Sequence, residues 1–421
     1  MNGALRRGAC PTLSQPMATG DGLLVRLTPK GATIPCETIS ALCASARQHG
    51  NGILEVTSRG NIQVRGLSEK SVPAFAAAVA GMDAYFAEGV PVACDPLAGL
   101  DAAELLDARE LAECLRDALG EAAFGSKLSP KVSVIVDAGG ALHLDALSAD
   151  VRLRALSING DVRVHIAVGG DARTATPLGI VAPERVTDAV LRILAVIAEH
   201  GPVARARDIN KHALWKALSD IVADSPFLTT RPSADPIGVR ALRDGTRAVG
   251  FGLPFGHIDA GTLADFADAT AEAGASGVRI APDRALLAIG VPRKAVPRLQ
   301  VTAEHLGLIL HRADPRRRVV ACAGAPICAS AEIPSRTLAP QLAEIVAQVE
   351  GDTPVLHVSG CAKGCACPRA TPMTVVGVDG RCGIVVNGSA RDAPALTFAV
   401  DALPGALAQI VAALREEARV G

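Results

Sequence analysis

Aromatic side chains are nearly missing: one Trp, one Tyr and eight Phe among 421 residues, or 2%. With 49% of residues hydrophobic, the interior has to be packed from Ala, Val, Leu and Ile, and the same composition excludes disordered and collagen-like chains. Net charge is scarce too, at -1. No basic run exceeds Arg316 to Arg318, so there is no field to attract a polyanion and nucleic acid is not an expected partner. Long apolar runs are also lacking. The stretch from Ala76 to Ala87 is interrupted by Asp83 and closed by Glu88, and that from Ala189 to Ala198 is interrupted by Arg192, a pattern of amphipathic helices and not of membrane spans. Arg6 and Arg7 near the N-terminus precede no apolar segment of signal-peptide length, so a cytoplasmic location is expected. Finally, no G-x-G-x-x-G is present. The run Gly250-x-Gly252-x-x-x-Gly256 has the wrong spacing and reads as a turn, so any reducing equivalents have to come from a separate NAD(P)H-linked donor.

What is present is an internal repeat. Residues 34–67 lie on residues 258–291 without a gap: Ile34 falls on Ile258, Thr38 on Thr262, Ile39 on Leu263, Leu42 on Phe266, Val56 on Ile280 and Gly66 on Gly290. Each copy reads as a helix of about three turns followed by two short strands, ILEVTSRGNIQVRGL in the first and VRIAPDRALLAIGV in the second. Two separated copies in a chain long enough for several domains predict a gene-duplicated protein with pseudo-symmetric halves. After the first copy, LSPKVSVIVDAGGALHL and GDVRVHIAVGG read as strands, and Pro183 to His200 reads as a helix. Residues 92–122 read as a helical connector, and residues 223–245, rich in Pro, Ser and Asp, as a hinge between halves.

Eleven cysteines are present, and four stand out. Cys322-x5-Cys328 and Cys361-x3-Cys365 form two close pairs in Gly- and Ala-rich backbone, ACAGAPIC and SGCAKGCACP. A 4Fe-4S cubane needs four thiolates converging on a small volume, with small residues that let backbone N–H groups reach the sulfides. Zinc is the alternative, although its Cys pairs more typically have two-residue spacing. Cys36, Cys43, Cys94, Cys114, Cys367 and Cys382 read as packed thiols, and Cys10 is unassigned. His143, His165 and His257 are dispersed and form no local two-His-one-carboxylate pattern.

The paired cysteines, the Thr57-Ser58-Arg59-x-Asn61-Ile62-Gln63 segment and the duplicated half-domain resemble the sirohaem-dependent sulfite and nitrite reductase superfamily. Within it, the opening RRGACPTLSQPMATGDGLLVRL and SGCAKGCACP look most like the precorrin-3B synthase family of aerobic cobalamin biosynthesis. The resemblance implies an α+β fold of two halves, each a ferredoxin-like half-domain plus a larger α/β domain. The expected division is an N-terminal segment at 1–16, half-domains at 17–86 and 238–303, and α/β domains at 87–230 and 304–421. It also implies a 4Fe-4S cluster on Cys322, Cys328, Cys361 and Cys365, a separate non-haem iron, and oxygenation of precorrin-3A by dioxygen to a hydroxy-γ-lactone.

Five cationic residues are the implied grips on substrate: Arg59, Lys131, Arg205, Arg207 and Lys363. Arg59 matches the superfamily arginine of the T-x-R-x-x-x-Q segment. Arg205 and Arg207 in PVARARD stand where reductases place two lysines, and alternation on an extended segment would point them the same way. Two departures count against a reductase. Pro130 replaces an arginine beside Lys131, and Lys363 stands where reductases commonly carry Asn. The rival readings are a sirohaem sulfite or nitrite reductase, and a tetrapyrrole carrier or electron-transfer protein without catalysis.

Overall fold

Two copies of one chain path alternate with two copies of another. The structure, a computed structural model, describes residues 11–82, 85–122, 124–347, 349 and 354–420; Cys10 and Asp83 lie outside the described residues. The first repeat runs β1 (Met17–Thr19), β2 (Gly22–Pro29), α1 (Cys36–His49), β3 (Ile53–Val56), β4 (Ile62–Leu67), α2 (Val72–Ala80) and β5 (Phe86–Ala87). A larger unit follows with β6 (Val92–Cys94), α3 (Ala108–Glu121), β7 (Val134–Asp137), β8 (Ala149–Ile158), β9 (Asp161–Gly170), β10 (Thr176–Val181), α4 (Val186–Glu199) and α5 (Lys211–Lys216). The second repeat has β11 (Gly238–Ala241), β12 (Arg247–Gly252), β13 (His257–Asp259), α6 (Ala260–Glu272), β14 (Gly277–Ala281), β15 (Ala285–Val291) and α7 (Val296–His305). The second larger unit has β16 (Val319–Ala321), α8 (Ser335–Val346), β17 (Leu356–Ser359), β18 (Thr371–Val378), β19 (Arg381–Gly388), β20 (Leu396–Phe398) and α9 (Leu403–Val420).

The α+β architecture and its duplication agree with the sequence. Gly66 and Gly290 both adopt positive φ, 71° and 75°, as a shared kink in β4 and β15 demands. The pairing between repeats is reciprocal: Ile258 of β13 pairs with Leu54 of β3, while Ile34 bridges Val278 of β14. Those are the same two positions exchanged, the signature of a pseudo-two-fold axis. Helices α1 and α6 pack together across it, and Ile39, Leu42, Leu263 and Phe266 enter one continuous core with both sheets. The repeats therefore share a single core.

The larger units match as well. In the first, β6, β7 and β8 are parallel and β9 and β10 complete the sheet antiparallel; β16, β17, β18, β19 and β20 repeat that order. Three details differ from expectation. The segment 92–122 opens with strand β6, whose three residues are too few for a pattern. Residues 142–148 form no strand, because their backbone turns to deliver Leu144 and Leu147 carbonyls to Arg152. Gly250 and Gly252 lie inside β12, where a Cβ on Gly250 would strike Pro236 O, and only Gly256 lies in a turn.

Candidate functional site

Cys322 directly follows β16, and Cys361 stands two residues beyond β17, its parallel neighbour. Parallel strands send their following loops to one end of the sheet, so both cysteine pairs emerge together. The loops are stitched to each other: Cys322 N–H donates to Val358 O (3.2 Å) and Glu332 N–H to Gly360 O (2.7 Å). The Cys322 thiol accepts from Gly360 N–H (3.1 Å) and donates to Ser335 Oγ (3.5 Å). Burial pushes the Cys361 thiol up, the Lys363 N–H and ammonium oppose that, and the nearby Cys328 and Cys322 sulfurs push it further up.

Among the described residues, no three His, Cys, Asp or Glu side chains gather as ligands of a single metal ion. A tetrahedral zinc site would hold four sulfurs about 2.3 Å from one point, whereas a cubane spreads its thiolates over four irons. Four thiols on two loops that bond to each other are a donor set that suits the four irons of a cubane. Nor do the described residues gather ligands for a second iron.

One wall of this end is the outer face of the first repeat's sheet. Arg26, Gln63, Glu55 and His257 lie side by side in register across β2, β4, β3 and β13, and Arg65 shares their face two residues along. With its amide oriented to satisfy both ends, Gln63 donates to Glu55 Oε2 (2.9 Å) and accepts from Arg26 (2.8 Å). Arg65 pairs with Asp21 (2.9 Å) and Glu55 (3.5 Å) and reaches Ile327 O (3.4 Å) in the first cysteine loop. Burial opposes the charge on Arg65, yet Glu55 and Asp21 hold its pKa above the usual value. Arg336, at the start of α8, also pairs with Glu55. A Cβ on Gly20 would sit 2.5 Å from Pro326 O, so the β1–β2 turn presses directly on the same loop. Burial, then Arg336, pushes His257 down to about 4, leaving it neutral.

The five cationic residues come together only in part: Arg59 and Arg205 are joined through Ser133 and Asp150, while Lys363 lies at the cysteine end. Arg59, on the turn after β3, donates to Ser148 O (2.8 Å) and Ser133 Oγ (3.4 Å) of the first larger unit. It lines a crevice of about 50 Å³ with Asn61, Ser133, Cys94 and Arg279. Lys131 is exposed two residues before Ser133. Arg205 grips the buried Asp150 through two nitrogens (2.7 and 2.9 Å), and the same carboxylate accepts the Ser133 N–H (3.0 Å). The extended-segment expectation fails here, because Ala206–Asp208 is a 3-10 turn that sends Arg207 outward to a weak contact with Asp208 (3.7 Å). Lys363 lies in the second cysteine loop and donates to Ser330 Oγ (2.8 Å) of the first. His143 contacts Pro232 O (2.8 Å), and His165, pushed down to about 4 by burial and then Arg154 and Arg152, sits apart on β9.

Several site residues escaped the sequence reading: Asp21, Glu55, Arg65, Arg284, Ser335 and Arg336. Arg284 donates to Ala366 O (3.3 Å) in the second cysteine loop. It occupies the turn of the second repeat that matches the Arg59 turn, and the two turns touch through Asp283 N–H and Ser58 O (3.1 Å). The available signal was the polar face ILEVTSRGNIQVR, where Glu55, Gln63 and Arg65 alternate with buried residues.

Paired cysteine loops over a duplicated ferredoxin-like core define the nitrite and sulfite reductase fold. Residues 15–82 match the family model described as nitrite/sulfite reductase ferredoxin-like half domain. The solved structure of the Mycobacterium tuberculosis NirA protein superposes with a TM-score of 0.77 at 20% identity, over 92% of this chain and 80% of that one. A ferredoxin–nitrite reductase of Synechococcus elongatus is 25% identical over 84% of this chain and 76% of its own. Greater likeness is found to a precorrin-3B synthase of a Sinorhizobium species, 36% identical over 99% of this chain and 91% of the relative. The chain belongs to the precorrin-3B synthase family.

Proposed function

We propose that the protein is a precorrin-3B synthase, an oxygen-dependent monooxygenase that converts precorrin-3A to the hydroxy-γ-lactone precorrin-3B in cobalamin biosynthesis. It works in the cytoplasm with dioxygen and an external NAD(P)H-linked donor. One oxygen atom enters the product, and the other leaves as water on two electrons and two protons. The observation that carries the choice over a reductase is the fate of Arg205. Its guanidinium is neutralised by Asp150, and with Pro130 beside Lys131 this supports a site poorer in free cations than sulfite or nitrite needs.

Cys322, Cys328, Cys361 and Cys365 would hold a 4Fe-4S cluster, which when bound supplies one-electron transfer. Arg59, Lys131 and Lys363 supply cations for the acetate and propionate rim of the substrate. A guanidinium fork matches a carboxylate better than a backbone carbonyl, so a substrate carboxylate would displace Ser148 O from Arg59. The crevice of about 50 Å³ is far smaller than the roughly 300–1,000 Å³ of ordinary ligand sites. Binding there requires the Arg59 turn and the Ser133 strand to part. Arg207, turned outward, has its ion pair with Asp208 on its own turn.

The test is an absorption spectrum of protein purified anaerobically from a sirohaem-making host, followed by precorrin-3A and air. A broad iron–sulfur shoulder without chlorin bands, and oxygen-dependent conversion of precorrin-3A, is expected. Sharp chlorin bands with sulfite- or nitrite-dependent bleaching of a reduced dye would establish the reductase instead. Tight precorrin binding without oxygen consumption would establish a carrier.

A further inference from the structure

Ser335 is a polar side chain with no exposure, at the first position of α8. Its hydroxyl lies 3.5 Å from Cys322 Sγ, and the same sulfur receives the Gly360 N–H at 3.1 Å. The position is enforced by the loop itself. Gly324 adopts φ of 71°, and a Cβ there would lie 2.3 Å from Ser335 N, so only glycine lets the first turn of α8 fold back onto the cysteine that precedes it. Ala325 N–H donates to Ile333 O (2.9 Å) and Cys328 N–H to Gly324 O (2.8 Å), closing the loop around this contact. The Cys322 sulfur thus has both a buried hydroxyl and a backbone N–H against it.

We infer that Ser335 is a positioning residue that sets the reduction potential of the cluster by donating its hydroxyl hydrogen to the Cys322 thiolate. The inference rests on the cluster reading above. In the thiol form the sulfur donates to Ser335 Oγ; once Cys322 is deprotonated by metal ligation, the direction reverses and the hydroxyl donates. One-electron reduction adds negative charge that spreads onto the thiolates, and a donor held against one of them stabilises the reduced state and raises the potential. Ser335 is shielded from water, so no solvent molecule replaces its hydrogen bond when the hydroxyl is removed. The residue touches a ligand and not the reacting atoms, so it acts through Cys322 alone.

The experiment is a redox titration of the full-length holoprotein, followed by electron paramagnetic resonance, for the wild type, Ser335→Ala and Ser335→Thr. Ser335→Ala should retain the wild-type iron and sulfide content and titrate at a more negative midpoint. Ser335→Thr, which keeps the hydroxyl, should restore the midpoint. An unchanged midpoint in Ser335→Ala overturns the inference, as does loss of cluster in that variant, which would make the serine structural. Failure of the wild type itself to bind iron and sulfide would sink the cluster reading, an outcome distinguishable from either.

Discussion

Glu55 and Arg279 occupy the same place in the two repeats and answer to different neighbours. Glu55 binds Arg65 and Arg336 beside the cysteine loops. Arg279, only 4% exposed, donates to Thr33 Oγ1 ahead of α1 and to Pro96 O and Ala98 O in the loop after β6, which corresponds to the loop after β16. Next to them, Gln63 and Arg65 of the first repeat match Leu287 and Ile289 of the second. Those two pack with Leu97, Leu142 and Leu242 in a small apolar core. Each sheet therefore covers the strand-end loops of one larger unit. The first sheet covers them with a charged network of Glu55, Gln63 and Arg65, beside four cysteines, and the second with one buried arginine, Arg279, set among Leu287 and Ile289. In the second case the loops are closed on themselves: Asp101 accepts from Ala141 N–H (2.7 Å) and Leu105 N–H donates to Ala138 O (2.9 Å). Duplication kept the covering sheet over the strand-end loops in both halves, and only one pair of loops carries the paired cysteines.

The comparison breaks most severely at the cysteines. Cys361→Ser should abolish both the iron–sulfur absorbance and turnover; an intact cluster in that variant would remove the ligand assignment. Next come the matched positions 65 and 289. Arg65→Ala strands Asp21 and Glu55 as half-satisfied charges and should cost about 4 kcal/mol, while Ile289→Ala leaves a cavity costing about 3 kcal/mol, both read from urea unfolding. Only the first should also lower cluster content, since only Arg65 touches the Cys328 loop. Equal cluster loss in both would erase the distinction between the two sheets. Arg59→Ala should weaken precorrin-3A binding about tenfold, near 1.4 kcal/mol, with cluster absorbance unchanged, as measured by fluorescence or absorbance titration.

A separate effect, remote from the cysteines, concerns pH. Burial, then Asp137, pushes Asp95 up to about 7 from its ordinary 3.8. The native state holds this proton longer than the unfolded chain does. The associated stability is full below about pH 4 and is lost as pH rises through about 7. Asp95→Asn should flatten that slope, visible in urea midpoints at pH 5 and pH 8, and leave the cysteine end untouched.

The repeat was legible because its signal is local: a shared core at Ile39, Leu42, Leu263 and Phe266 imposes the same apolar spacing on both copies. The cysteines were legible because pairing within a loop is written in short spacing. The wall beside them was not, for Glu55 meets Arg336 and Arg65 meets Ile327 across most of the chain, and no periodicity encodes such partners. Arg205 misled for the same reason: its partner Asp150 lies on a different strand, and the turn that diverts Arg207 has no proline or glycine to announce it. Strand β6 was hidden by its length alone.

The crossed covering of the loops also sets an order of assembly for the cysteine end. The β1–β2 turn that presses on Pro326, and the Arg65 that reaches Ile327, leave the ribosome early, while Cys361 and Cys365 leave almost last. The polar face of the first repeat is therefore made long before the loops that it covers, and until those loops follow, Glu55 and Arg65 stand without Arg336 and Ile327.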